Sequence, residues 1–340
     1  MAQVEVESER AESTGAAAEA AGSGDGVQNP RLPPRRPWLT LIVLVVATPL
    51  LLATLLAFFS GATWWLDLVA QTRPWLAAGL VVAGGVQLLA RPKWPAAMWL
   101  AGAAAAAMPS LGRSMVSAAS PDLTAPTLTL AIADAPGSPD AVALFGGWLT
   151  DGKVDVLILT GDAAATLPGF RRAEVDAQQD ANVSVYVRAG TTDESFGFRY
   201  GDGPLFIESN LSFNGRPLAL LAVAVPAATD GRSAAVQATA FAGIEAWTAA
   251  RRFAGERTIV AGIFNTTPNG RRLRSTADRL GLTIATDGDL FAGTWPSSLP
   301  PPLRVETSNA LLPKGTAATA EVGPSIGTSR RPLLVRIAAQ

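Results

Sequence analysis

At 340 residues the chain has room for one large domain plus further segments, and its 27 Lys and Arg nearly balance its 28 Asp and Glu. No global field therefore favours nucleic acid or an acidic partner. Cysteine and histidine are both absent. Their absence excludes disulfides, thiolate metal sites, Cys nucleophiles and the side chain that ordinarily titrates near neutrality, so acid–base chemistry would need a shifted carboxylate, Lys or Tyr.

Residues 1–36 pass from acidic through Ala/Gly/Ser-rich to basic and Pro-rich (Pro30, Pro33, Pro34) without apolar periodicity, and read as a disordered N-terminal tail. A membrane domain is expected over 37–112, with about three transmembrane helices near 37–59, 74–90 and 94–108. The first run, PWLTLIVLVVATPLLLATLLAFF, is free of charge, and Pro49 would kink it without excluding it. The second is shorter and also uncharged, and the third is Ala-rich and marginal in length. Trp38, Trp64, Trp65, Trp75, Trp94 and Trp99 lie near the ends of these runs, as interfacial aromatics do. Arg31, Arg35 and Arg36 precede the first run, and Arg91 and Lys93 separate the second from the third. The positive-inside rule then places the N-terminus in the cytoplasm and, with three crossings, everything after about residue 112 outside. If the third run does not cross, the large domain is cytoplasmic instead.

A polar linker is expected at 113–124, followed by one domain over 125–340. Strand-like runs fall at 127–133, 154–159, 183–188, 219–225, 258–264, 310–312 and 332–338, with helical patterns at 139–148, 234–253 and 269–280. Their irregular alternation points to α/β layers around two sheets rather than one doubly wound sheet.

Three stretches carry a resemblance. VAGIFNTTP at 260–268 resembles the V-A-G-D-F-N-x-T-P of the endonuclease/exonuclease/phosphatase superfamily. GTSRRP at 327–332 resembles its G-S-D-H-R-P ahead of a last strand, and DVLIL at 155–159 resembles the strand of D-V-V-V-L-Q-E. The pattern is similar to a bacterial branch with an N-terminal membrane anchor. It implies a four-layer αββα sandwich with a metal-dependent phosphoester-cleaving site along one edge of two facing sheets.

Carried over residue by residue, the resemblance keeps the framework and loses the functional groups. The family's metal-site Asn falls on Asp134, and its metal-binding Glu falls on Gly161 with Asp162 beside it. The His of V-H-L-P falls on Ala224, and the Asp of G-D-F-N falls on Ile263, while Asn265 is retained. The two D-H pairs fall on Ser308 with Asn309 and on Ser329 with Arg330. Gly161 and Ile263 offer no hard oxygen ligand for Mg²⁺, and Ser329 with Arg330 offers no proton acceptor at neutral pH.

The expectation is a catalytically inactive, hydrolase-like domain acting as a binding or scaffolding module on the cell membrane, without a cofactor. Two alternatives stay open. One is a divergent phosphodiesterase or phosphatase using Asp134, Asp162 and Asn265 with Mg²⁺ or Mn²⁺. The other is an envelope assembly factor acting through its membrane segments. Arg271, Arg272, Arg274 and Arg330 are candidate anion-binding residues, against the plainer reading of a solvated basic helix. The partners implied are the membrane and an unidentified protein or lipid. Aromatics near these arginines are too sparse for specific nucleic-acid binding.

Overall fold

A computed structural model describes residues 37–90, 92–115, 127–161, 167–173, 182–189, 193–213, 215–285 and 293–338. The expected tail at 1–36 and most of the expected linker lie outside the described residues.

Four helices come first: α1 (Pro37–Ala57), α2 (Trp64–Gln71), α3 (Arg73–Leu88) and α4 (Trp94–Met115). Val43, Ala47, Leu80, Trp99 and Ala103 form a buried seam between α1, α3 and α4. Gly79, Gly84 and Gly102 lie directly under Leu50, Leu100 and Leu51 respectively, so the backbones approach closely where a side chain would not fit. The expectation of about three transmembrane helices needs correction. Among the described residues one helical stretch, Trp38–Ala57, is long and apolar enough to cross a membrane. Helix α3 has 16 residues, short of the ~20 that a bilayer requires, and includes the buried Gln87. Helix α4 is long, but it is built largely of Ala and Gly, whose transfer out of water gains little.

Among the described residues, the rest of the chain builds two six-stranded mixed sheets. The first contains β1 (Thr127–Asp134), β2 (Val156–Thr160), β3 (Phe170–Arg172), β4 (Val183–Arg188), β11 (Ala318–Val322) and β12 (Leu333–Ala338), in the order β11-β12-β1-β2-β4-β3. The second contains β5 (Asp193–Arg199), β6 (Leu205–Phe213), β7 (Arg216–Ala224), β8 (Arg257–Ile263), β9 (Leu282–Ile284) and β10 (Ser308–Pro313), in the order β5-β6-β7-β8-β10-β9. Period-two burial sorts each strand's side chains between two faces. Leu128, Leu130 and Ile132 of β1 and Ile259, Ala261 and Ile263 of β8 meet in one core between the sheets. The alternate residues face outward. Ala131 and Ala133 pack under Phe145 and Leu149 of α5 (Pro139–Asp151). Val260 and Phe264 pack under Ile244 and Trp247 of α6 (Gly231–Phe253) and Leu273 of α7 (Arg271–Arg279). The layers are therefore helix, sheet, sheet, helix, the αββα sandwich the resemblance implies.

The helical segment docks on this sandwich at the N-terminus of α7. The α7 N-cap is Gly270, which has no side chain to cap the helix. Asp67 of α2 supplies the missing acceptor, taking the Arg271 backbone N–H at 2.8 Å and the Thr266 hydroxyl at 3.3 Å. A carboxylate there also complements the positive end of the helix dipole. Arg73 donates to the Ala57 carbonyl at 2.8 Å and the Asn269 carbonyl at 3.4 Å, joining the end of α1 to the turn before α7.

Candidate functional site

Within each sheet a single strand pair runs parallel, β1 with β2 and β7 with β8. The registers pair Asp134 with Thr160 and Ala224 with Ile263 at the carboxyl ends of those strands. Both ends open on the same cleft, of about 790 Å³, lined by Asp134, Gly161, Ala224, Ile263, Asn265 and Arg330 among others. Ligand sites of α/β sheets commonly lie outside the carboxyl ends of parallel strands.

Each functional side chain is placed by its local chain. Asp134 is the last residue of β1, and the Thr160 hydroxyl on the parallel neighbour donates to its Oδ1 at 2.8 Å. Past β8 the backbone turns at Asn265, whose φ of 47° is in the left-handed region that Asn tolerates better than most residues. Asn265 Nδ2 donates to the Val225 carbonyl at 2.8 Å, which ties the loop after β8 to the end of β7. The turn before β12 delivers Ser329 and Arg330. The Ser329 hydroxyl donates to Asp134 Oδ2, and Arg330 Nη1 reaches the two carboxylate oxygens at 3.1 and 3.3 Å. Arg330 Nη2 donates to Asn265 Oδ1 at 2.9 Å. One guanidinium thus bridges the two sheets, with the Arg330 side chain 19% and the Asp134 side chain 14% exposed.

Of the residues singled out in the sequence, Asp134, Asn265, Ser329 and Arg330 come together. Gly161 and Ala224 line the same cleft without offering a functional group. Ile263 has one edge on the cleft but is 3% exposed and belongs to the core between the sheets. Ser308 and Asn309 are buried in β10, paired with Ile263 and Gly262 in register, and do not line the cleft. Asp162 lies outside the described residues. The candidate anion-binding set divides: Arg330 is at the cleft, Arg272 donates to Gln237 of α6 at 2.7 Å, and Arg271 with Arg274 faces the helical segment. Arg199 and Asp202, from the hairpin joining β5 to β6, also line the cleft. They escaped sequence reasoning because that hairpin has no clean alternation to mark it.

The divalent cation that the resemblance implies does not fit these residues. Asp134 spends its oxygens on Thr160, Ser329 and Arg330, and the guanidinium holds a permanent positive charge against the carboxylate that would bind the ion. Among the described residues no group of three His, Cys, Asp or Glu could hold a metal. The arrangement can do other chemistry. It offers a cleft lined by many apolar residues, two arginines and two aspartates, with the Arg330 guanidinium bonded to Asp134 and Asn265 in its wall.

No family model and no curated protein matches the sequence. Among solved structures, 189 chains match in three dimensions. Truncated TDP2 of Caenorhabditis elegans is 9% identical, the match covering 63% of this chain and 98% of that one at a TM-score of 0.49. The mannosyl-6-phosphatase Bt3783 of Bacteroides thetaiotaomicron VPI-5482 is 13% identical over 62% of this chain and 100% of its own, with a TM-score of 0.47. An endonuclease/exonuclease/phosphatase family protein of Bacteroides thetaiotaomicron is 12% identical over 64% and 99%, also at 0.47. These neighbours have the endonuclease/exonuclease/phosphatase fold, the family that the motifs of this sequence resemble. At such identities and scores the likeness says nothing of activity, and the sandwich stands on the chain's own sheets and core clusters.

Proposed function

We propose that the chain is a membrane-anchored, non-catalytic member of this fold, with α1 as its anchor and the sandwich as a binding or scaffolding module. The observation that carries the reading is the Arg330 guanidinium bonded at once to Asp134 and Asn265. It neutralises the one acid placed at the end of β1, and arginine keeps its proton at any physiological pH. With neither His nor Cys in the chain, the position of the attacking group has no ordinary proton acceptor. Anchoring is supported by the outward-facing Leu41, Ile42, Val45, Val46, Leu52 and Leu55 of α1, all more than half exposed, an apolar surface that suits lipid rather than water. The arginines before α1 favour a cytoplasmic N-terminus and a sandwich on the far side.

The test is hydrolysis of a generic phosphodiester and a generic phosphomonoester by the purified full chain with Mg²⁺ or Mn²⁺. No turnover above a metal-only control is expected. Metal-dependent turnover that disappears in Asp134→Ala would establish the divergent hydrolase instead.

A further inference from the structure

A second cleft, of about 410 Å³, opens between the helical segment and α7. Three arginines converge on it: Arg73 from α3, and Arg271 and Arg274 one turn apart on α7. Among the described residues none of the three forms an ion pair, although Asp278 also lines the cleft. Arg73 is only 3% exposed, and its Nε is buried without a hydrogen-bond partner. Asp67 lies near Arg73 and Arg274, and Asp278 near Arg274, but Asp67 is already engaged at the start of α7. Three guanidiniums against two carboxylates leave an excess positive charge that an anion would offset. Ser60 and Ser275 add hydroxyl groups to the same wall.

The location narrows the class of anion. The cleft begins where the apolar run of α1 ends, and Arg73 is bonded to the carbonyl of Ala57, its last residue. Phe58 lines the cleft and lies under the Arg73 guanidinium at 5.2 Å, while Phe59 and Met108 nearby in the chain are 63% and 71% exposed. Charge at the level of the headgroups beside exposed apolar surface suits a ligand with both an anionic head and acyl chains. A free anion would use only the arginines. We propose that this cleft binds the phosphate of an anionic phospholipid headgroup. The proposal rests on reading α1 as a membrane span.

The test uses the full chain in a neutral maltoside detergent, titrated calorimetrically with short-chain dihexanoyl phosphatidylglycerol, dihexanoyl phosphatidylcholine and inorganic phosphate. Phosphatidylglycerol should bind saturably and about tenfold tighter than either of the others. Loss of both Arg271 and Arg274 to Gln should weaken it about 25-fold, at about fivefold per arginine. Arg279→Gln, on the same helix but paired with Glu245 away from the cleft, should leave binding unchanged. Equal affinity for phosphatidylcholine, equal affinity for free phosphate, or an unaffected double variant would each overturn the site. Anchoring is read separately, by alkaline carbonate extraction of membranes. Release of the wild type there overturns the membrane reading and the lipid as ligand, whereas retention without phosphatidylglycerol binding overturns this site alone.

Discussion

Arg330 shows how one side chain can join two sheet edges that lie far apart in the sequence. It lies 196 residues from Asp134 and 65 from Asn265 in sequence, yet it bonds to both. Its pair with Asp134 is mostly sheltered from water, so removing one partner leaves the other desolvated without compensation. Arg330→Met should therefore cost about 2 kcal/mol in denaturant unfolding, near the middle of the range for an orphaned, partly buried charge. Adding Asp134→Asn to that variant should recover part of the loss, because the remaining polar group is neutral and keeps its Thr160 bond. Additive costs in this double-mutant cycle would mean that the strut contributes nothing. The retained pieces of VAGIFNTTP have an equally local logic. Gly262 has a φ of 144°, and a Cβ there would lie 2.0 Å from the Val223 carbonyl oxygen, so the parallel pairing of β7 with β8 demands glycine. Ile263 then faces the core between the sheets, where an aliphatic side chain suits its neighbours better than an acid would.

Among the elements, legibility tracked how far local pattern agreed with tertiary placement. Strands β1, β2, β7, β8 and β12 are rich in aliphatic residues, and each was readable as a strand. Strand β6 was not, because its middle holds Glu208, a buried carboxylate that accepts from Trp247 Nε1 at 2.6 Å and pairs with Arg251. Both partners belong to α6, so only the folded packing explains an acid there. Strands β3 and β9 are three residues long, too short for a period to register. The cleft was legible only in its parts. Sequence motifs located Asp134, Asn265 and Arg330 separately, while the guanidinium bridge depends on the two sheets facing each other. Helix α6 allows a sharper statement about its own stability. Asp230 caps it, accepting the Ser233 backbone N–H at 2.7 Å in a reciprocal capping box. Those bonds, first the Ser233 N–H and then its hydroxyl, hold the Asp230 carboxyl below its ordinary range. A lowered folded-state pKa means stability that is fully present above the unfolded value, about 3.9, and is lost as pH falls through the lowered one. Asp230→Asn keeps a capping oxygen but removes the titration. The melting-temperature difference between wild type and Asp230→Asn should therefore favour the wild type at pH 6 and shrink progressively as pH falls below about 3.9. A difference that stays constant with pH would show that the charge plays no part in the cap.

At the scale of the whole molecule, the helical segment determines on which side of a membrane the sandwich would lie. The sequence alone made that depend on whether a third run crosses. If α1 is a span, the packing of α3 and α4 removes that dependence. Helices α3 and α4 pack against each other, and Leu100 of α4 seats over Gly84 of α3. The start of α3, at Arg73, and the late part of α4, at Pro109, line the same cleft as Phe58 after α1. The two helices therefore form a hairpin that leaves from and returns to the domain end of α1. Whether the hairpin enters the bilayer fully, partly or not at all, it would contribute an even number of crossings, so on the proposed reading α1 alone would set the side. On the proposed reading of α1 as a span, Arg31, Arg35 and Arg36 ahead of it predict a cytoplasmic N-terminus and a sandwich on the opposite face. The absence of native cysteine makes this directly measurable. Lys314, exposed in the turn between β10 and β11, can carry the single thiol of a Lys314→Cys variant without disturbing a buried contact. In sealed right-side-out vesicles that thiol should react with a membrane-impermeant maleimide to the same extent before and after detergent lysis. Protection until lysis would place the sandwich in the cytoplasm. It would also mean that α1 does not cross in the orientation its flanking arginines dictate.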